Sequence, residues 1–432
     1  MTTSPRKKLL LLASKLGYQT QGFAEAASSL LVEVQFATDR CHKLADPWGD
    51  GALPLHFEEP ESAAREIASH FEKNPPAAIL ALGDRPTPAA ALAARAFGLA
   101  GNDPEAVTRC RNKLTQRETL RAAGVHVPEF FAFPADEAPD KILPRVKFPC
   151  VVKPLSLAAS QGVIRADNAA EFRAAVSRIR ALLASPEIQS TREPALDQLL
   201  VEHYIPGREV AIEGLLDRGH LRILALFDKP DPLEGPYFEE TIYVTPSRLA
   251  ESQQSALREC AAAAVRALGL THGPVHAEFR VNDDGPWVLE VAPRPIGGLC
   301  SRALRFGPRR ISLEELLLRH ALDLDGFNLE REEDASGVMM IPVPRSGIFE
   351  RVEGIEEAER VPGVTEIRIT ARLKDYVAAW PEGASYLGFI FARASTPAEV
   401  EAALREAHAK LQFTFSPRLP VEHPVTRRIL SA

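Results

Sequence analysis

Two short stretches of alternating polar and apolar residues, joined by a tight turn, constrain this chain more than any other feature. His276-Ala277-Glu278-Phe279-Arg280-Val281 is the first and Val288-Leu289-Glu290-Val291-Ala292 the second. Asn282-Asp283-Asp284-Gly285-Pro286 between them supplies the turn chemistry of a β-hairpin. A loop centred on Asp284 pairs Phe279 with Leu289, Ala277 with Val291, and Glu278 with Glu290. Like charges directly opposite one another destabilise a sheet, so this register requires a compensating charge. A divalent cation held between the two carboxylates provides it. Arg294 and then Gly297-Gly298 follow, bringing a guanidinium and a flexible backbone to the same strand end. The set implies a phosphoryl-transfer site.

At 432 residues the chain exceeds one ordinary core, and about two or three domains are expected. A net charge of −7 argues against a general nucleic-acid binder. Cys41, Cys110, Cys150, Cys260 and Cys300 are dispersed, without C-x-x-C or metal-ligand spacing. Such a set reads as reduced thiols in a cytoplasm. Arg6-Lys7-Lys8 followed by Leu9 to Leu12 has the look of a signal peptide. The apolar run, though, is only about half of what a membrane span needs. Lys15 and Gly17 end it, so it reads as a buried first strand, with no membrane partner.

Residues 1–108 have the βαβ rhythm of a parallel sheet: strands at Lys8–Ala13, Val32–Ala37 and Ala77–Leu82, then an alanine-rich helix after Pro88. No G-x-G-x-x-G follows the first strand, so a dinucleotide fold lacks its motif. Residues 109–310 carry the chemistry. A helix is expected over Asn112–Ala123, and strands over Phe148–Lys153, Leu199–Ile205, Glu209–Leu216 and Leu221–Phe227. Phe172, Val176, Ile179 and Leu183 make one apolar helix face; Leu257, Ala261, Val265 and Leu268 make another, stopped by Gly269. Residues 311–432 read as α+β: helices Leu313–Leu322 and Pro397–Leu411, with strands at Gly337–Val343, Gly363–Ile369 and Tyr386–Arg393.

Lys153 ends the apolar run Phe148 to Val152, and a lysine there needs an anion to offset its desolvation. A phosphate serves; a lysine snorkelling at a strand end is the plainer alternative. The small-residue loop Ser156-Leu157-Ala158-Ala159-Ser160-Gln161-Gly162 behind it lets backbone N–H groups approach a polyphosphate, although Gly162 is its one glycine. Val201-Glu202-His203-Tyr204-Ile205-Pro206-Gly207-Arg208-Glu209 is more specific. A strand running into Pro-Gly leaves backbone groups free for an adenine edge, and Glu209 is placed for ribose hydroxyls. The alternative is an exposed strand-turn-strand with ordinary surface acids.

Taken in order, these pieces resemble the ATP-grasp superfamily over most of the chain. Asn112-Lys113, the Gly124-Val125-x-Val127-Pro128 step, Val152-Lys153-Pro154, Glu-x-Tyr-Ile-Pro-Gly-x-Glu, His-Ala-Glu-Phe and Glu290-Val291-Ala292-Pro293-Arg294-Pro295 occur in the superfamily's sequence. The resemblance implies an ATP-grasp fold: an N-terminal parallel α/β domain (1–108), a two-subdomain ATP clamp (109–310, lid about 125–205) and a C-terminal α+β domain (311–432). It carries ATP contacts to Lys113, Lys153, Ser160, Gln161, Gly162, Glu202, His203, Tyr204, Ile205 and Glu209. It carries Mg²⁺ ligation to Glu278 and Glu290, with two Mg²⁺ or Mn²⁺ ions, and stabilisation of the transferred phosphoryl to Arg294. Many members have asparagine two residues after the second glutamate as a further ligand; here the residue is Ala292.

The E-x-A-x-R string and Gly297-Gly298 are similar to those of L-amino-acid ligases, carboxylate–amine ligases that form dipeptides. So, less specifically, is Tyr386 to Arg393. The segment Asp228 to Pro246 resembles the one such ligases use near their amino-acid substrate, with Glu240 for an ammonium and Tyr243 at a side-chain pocket. Its alternative is a solvent loop with a satisfied acid. His276 shares the face of Glu278 and reads either as a substrate contact or as a hydrogen-bonded structural histidine. The resemblance implies ATP-driven activation of a carboxylate to an acyl phosphate and its capture by an amine. Activation of bicarbonate or formate, and a nucleotide-binding protein without chemistry, are the rivals. A small-molecule amino-acid or carboxylate partner is expected, and a homodimer is left open.

Overall fold

Leu9, Leu10, Leu11 and Leu12 are completely buried. A continuous apolar run, rather than alternation, marks a strand covered on both faces. In a computed structural model of the chain, residues 6–14, 18–39, 51–325 and 328–417 are described, with the backbone of 421–422 and 429–430. Lys15, Gly17, Arg40 and Cys41 lie outside the described residues. Strands β1 (Lys8–Ala13), β2 (Glu33–Thr38), β3 (Ala52–Pro54) and β4 (Ala78–Leu82) form a parallel sheet in the order β3-β2-β1-β4. The β4 strand delivers Gly83-Asp84 at its C-terminal end, where open α/β sheets place their functional groups.

A second sheet is antiparallel. It contains β5 (Phe130–Pro134), β6 (Cys150–Pro154), β7 (Ile164–Ala166) and β8 (Gln198–His203), in the order β5-β8-β6-β7. Helix Ala169–Leu183 covers it with Phe172, Val176, Ile179 and Leu183, all buried, as their spacing predicts. Asn168 starts this helix by accepting from the backbone N–H groups of Ala170 and Glu171. Asn112 does the same for helix Lys113–Ala122, so the position of Lys113 at the helix start is fixed by its neighbour's cap.

Eleven further strands build the rest of the body: β9 (Arg208–Asp217), β10 (His220–Asp228), β11 (Ile242–Thr245), β12 (Gly273–Asn282), β13 (Gly285–Ala292), β14 (Ala335–Ile341), β15 (Gly347–Glu353), β16 (Val364–Ile369), β17 (Tyr376–Val377), β18 (Gly388–Ala394) and β19 (Gln412–Ser416), while Val421–Glu422 and Ile429–Leu430 pair separately. Eight of them make one sheet in the order β13-β12-β9-β10-β11-β14-β18-β16, while β17-β15-β19 form a small one. Strands before and after residue 310 thus share hydrogen bonds: β11 pairs with β14 over Ile242↔Met339 to Thr245↔Ser336. The stretch weighed as a solvent loop contains β11, whose residues are all buried. Helix Glu251–Leu268 packs beneath the sheet and ends at Gly269, whose φ of 80° is the left-handed stop its position predicts. Cys110, Cys150, Cys260 and Cys300 are free thiols. No helix among the described residues is long and apolar enough to cross a membrane.

Candidate active site

The hairpin puts Glu278 directly opposite Glu290, and Ala277 opposite Val291. One expected pair is corrected: Phe279 faces Val288, not Leu289. The turn has two residues, Asp283 and Asp284, between the paired Asn282 and Gly285, whose φ is 102°. This shorter turn alone would move every pair by one and turn Glu290 from the face. A bulge at Leu289 inserts one residue and restores the acid pair.

Side chains alternate along a strand, so His276, Glu278 and Arg280 of β12 share one face with Glu209, Ala211 and Glu213 of β9. The register sets His276 against Glu213, Glu278 against Ala211, and Arg280 against Glu209. Alanine at 211 leaves room above it for the Glu278 carboxylate. Ala292 sits opposite His276. The imidazole bridges two acids, Nδ1 to Glu213 at 3.2 Å and Nε2 to Glu278 at 3.4 Å. Burial alone would lower its pKa, but the hydrogen bonds to Glu213 and Glu278 outweigh burial and raise it to about 9. His276 is thus hydrogen-bonded to Glu213 within this face. Glu213 also accepts the backbone N–H of Ile296 at 3.2 Å, which fixes the loop that carries Gly297 and Gly298.

Sequence reasoning missed Lys229. It follows Asp228, the last residue of β10, its side chain is 2% exposed, and its ammonium lies among Glu209 (2.9 Å), Glu240 and Glu278 (3.5 Å). The rule that singled out Lys153, a lysine ending a buried strand, applies equally here. One oxygen from each of the three acids lies within 4.8 Å of the others. Burial pushes the Glu278 carboxyl up, yet Lys229, His276 and Arg294 outweigh burial and hold it well below the usual range. Glu240, raised by burial, also accepts the Tyr243 hydroxyl at 2.9 Å. Tyr243 is buried against Phe227, with ring centroids 5.6 Å apart. Both oxygens of Glu209 are engaged: Lys229 takes one, and the Arg280 guanidinium takes the other at 3.0 and 3.1 Å.

Arg294 reaches across to the N-terminal sheet. Its Nε donates to Asp84 Oδ1 at 2.9 Å and its Nη2 to Oδ2 at 3.3 Å. Burial works against the charge, but Asp84, Glu290 and Glu278 keep the guanidinium protonated. Gly298 has a φ of 61°, and a Cβ there would lie 3.0 Å from the Phe389 ring. A Cβ at Gly297 would meet nothing within 4 Å, so that side of the loop is open.

On the other side of the acids, Lys113, Lys153, Ser160, Glu202, His203, Tyr204, Ile205, Glu209, Glu278 and Glu290 line a single cavity of about 100 Å³. Gln161 and Gly162 do not line it; they face the C-terminal segment. Gln161 Nε2 donates to Glu382 O at 2.7 Å, Gly162 N to Pro381 O at 2.9 Å, and Trp380 Nε1 to Ala159 O at 3.1 Å. Lys113 Nζ holds the same loop by donating to Leu157 O at 2.6 Å. Ala159 and Ser160 have φ of 55° and 53°, so two successive left-handed residues turn the loop over the cavity. Glu240, Tyr243, His276, Arg294, Gly297 and Gly298 lie outside the cavity lining, beyond Glu278.

Glu202 is 5% exposed and joins two cations: Arg117 Nε at 2.7 Å and Lys153 Nζ at 2.7 Å. Burial, with Arg117 and Lys113 adding repulsion, lowers Lys153 to about 8 despite Glu202. Removing the shared acid leaves two buried charges uncompensated, at about 3–5 kcal/mol. Glu202→Gln should accordingly lower the melting midpoint by roughly 5–15 °C. An unchanged midpoint by differential scanning calorimetry would show that water, not Glu202, balances these charges.

Comparison with known proteins agrees with this architecture. Residues 146–303 match the ATP-grasp domain family, and residues 339–416 match the L-amino acid ligase C-terminal domain 2. Residues 146–303 thus form an ATP-grasp domain, and the fold around it is the one an L-amino acid ligase shares. A crystal structure of an L-amino acid ligase from Bacillus licheniformis superposes with a TM-score of 0.80 at 28% identity, covering 96% of this chain and 100% of that one. The Sinorhizobium fredii protein y4rH is 25% identical over 332 residues, 75% of this chain and 65% of that protein. A D-alanine–D-alanine ligase from Anaeromyxobacter is 30% identical over 189 residues, 43% of this chain and 57% of the ligase. The chain thus spans less than two thirds of either of these two relatives.

Proposed function

We propose that this protein is an ATP-dependent carboxylate–amine ligase acting on amino acids or small peptides. The observation that carries the reading is one cavity lined by Lys113, Lys153, Glu278 and Glu290 together, with Arg294 close enough to the two acids to interact with them. The likeness to an L-amino acid ligase over 100% of that chain supports the same class of substrate.

The residues suit a nucleotide. Val151, Val163, Ile205, Phe238 and Leu289 give the cavity apolar walls for a flat base. Among the described residues the Ile205 N–H has no partner, which leaves a donor at the hinge for a ring nitrogen. The two lysines would hold a polyphosphate, and Glu278 with Glu290 would hold Mg²⁺, as two ions or with Mn²⁺ in their place. Bound Mg²⁺ supplies charge neutralisation to the phosphates. At about 100 Å³ the cavity falls below the roughly 300–1,000 Å³ of small-molecule sites, so entry requires the lid loop to lift.

The chain's own residues then act mainly by position and charge. Lys113 and Lys153 hold the phosphate chain, and Arg294, oriented by Asp84, offsets charge on the phosphoryl as it moves to the substrate carboxylate. The lid, pinned by Trp380, Pro381 and Glu382, excludes water from the acyl phosphate. The amine attacks the acyl carbon, the C–N bond forms, and phosphate leaves. His276 and Lys229 favour the ionised form of Glu278, which would hold the metal.

ADP release across a matrix of paired amino acids, with mass spectrometry of the products, tests this. The reading expects ADP release that requires a pair and yields a mass lower by one water than the two acids combined. Stimulation by bicarbonate alone would move the protein to the carboxylating ligases. Absence of turnover with any pair would make it a nucleotide-binding protein without ligase chemistry.

A further inference from the structure

At the far end of β9 from the nucleotide cavity, three side chains that the reaction does not use come together. Asp217 is eight residues from Glu209 along β9, about 26 Å at about 3.3 Å per residue. It stands on the β9–β10 turn, His272 on the loop ahead of β12, and His320 on the last turn of helix Leu313–Ala321. One oxygen or nitrogen from each lies within 4.8 Å of the other two. The two imidazoles stack, with ring centroids 4.6 Å apart and 29° between planes.

Several features show that this cluster is held together and lacks partners of its own. Asn102 clamps the loop: its Oδ1 accepts from Thr271 N at 2.7 Å and His272 N at 2.9 Å, and its Nδ2 donates to His272 O at 2.7 Å. Gly219 N donates to Thr271 O at 2.8 Å, which ties the turn to the same loop. Among the described residues, no hydrogen bond reaches a ring nitrogen of His272 or His320. Asp217 has only a distant ion pair with Arg218, at 3.9 Å. A cavity of about 70 Å³ is lined in part by His272 and His320, room for water near the cluster.

The local field favours a cation. His320 lies at a helix C-terminus, where the backbone carbonyls carry negative partial charge, and Asp323 adds a carboxylate. Neutral imidazoles offer nitrogen lone pairs to a metal, and both rings are only partly exposed. Two nitrogen donors and one carboxylate suit a borderline metal; Mg²⁺ and Ca²⁺ prefer all-oxygen sets. With Zn–N near 2.0–2.1 Å, tetrahedral ligands stand about 3.3 Å apart. The three groups therefore need to close by about 1.5 Å at most.

We propose that Asp217, His272 and His320 bind a divalent transition metal of the Zn²⁺ class, separate from the nucleotide site. The ion would staple the β9–β10 turn and the loop before β12 to the helix that packs against the N-terminal sheet. This site does not depend on the ligase reading.

The test uses the full chain, stripped with chelator and dialysed, then titrated with Zn²⁺ in the calorimeter under excess Mg²⁺ so that the acidic cavity is occupied. The wild type should take up one equivalent, with a rise in melting midpoint. His320→Ala should remove this uptake. Asp217→Asn, at an exposed position that leaves folding intact, should weaken it by at least about a hundredfold. No uptake by the wild type, or equal uptake by wild type and Asp217→Asn, overturns the assignment.

Discussion

Glu290→Gln should abolish Mg²⁺-dependent ADP release, with a loss of at least about 10³-fold and little change in melting midpoint. The reason is an asymmetry within the acid pair. Glu278 is already balanced by Lys229 at 3.5 Å and His276 at 3.4 Å. The Glu290 carboxylate, directly across the hairpin, has neither an ion pair nor a hydrogen bond among the described residues. It is the carboxylate left free to hold an ion. The amide keeps the shape and removes the charge, so packing should survive while affinity for a divalent ion falls. ADP release measured across a Mg²⁺ titration separates weakened metal binding from lost chemistry. Near-normal release at ordinary Mg²⁺ would remove Glu290 from the metal site.

How the chain announces this arrangement varies with distance along it. The Leu9 to Leu12 run and the Gly269 stop are local signals, and each appears where its chemistry predicts; Asn112, read as the first helical residue, is instead the cap of the helix. The Glu278–Glu290 pairing was also legible, but for an incomplete reason. A two-residue turn and the Leu289 bulge shift the register in opposite senses, and alternation alone does not reveal a bulge. Partners distant in sequence were not legible. Arg117 and Lys153 meet on Glu202, and Glu213 holds His276, only because β6, β8, β9 and β12 are brought side by side. Lys229 carried a usable signal, the charge at the end of a buried strand. The extension of the central sheet by β14, β18 and β16 had none, since which strand edges meet is a tertiary outcome.

Arg294→Lys should lose on the order of 10³-fold in the rate of ADP release while nucleotide still binds. The guanidinium is held by a two-point contact, Nε and Nη2 on the two oxygens of Asp84, with Nη1 donating to Pro295 O at 3.1 Å. An ammonium keeps the charge but has no planar fork, so it sits on Asp84 as a point charge and loses its aim at the acids. Asp84→Asn provides the converse. It leaves the arginine in place, releases half of its anchor, and should cost about 10–100-fold through position alone. If Arg294 stabilises charge that develops only as the phosphoryl moves, both variants lower kcat with KM for ATP nearly unchanged. If it merely joins the N-terminal sheet to the hairpin, melting midpoint and KM shift together and kcat holds. Full activity in Arg294→Lys would therefore end its part in phosphoryl transfer, and leave the contact with Asp84 as a structural tie between two sheets.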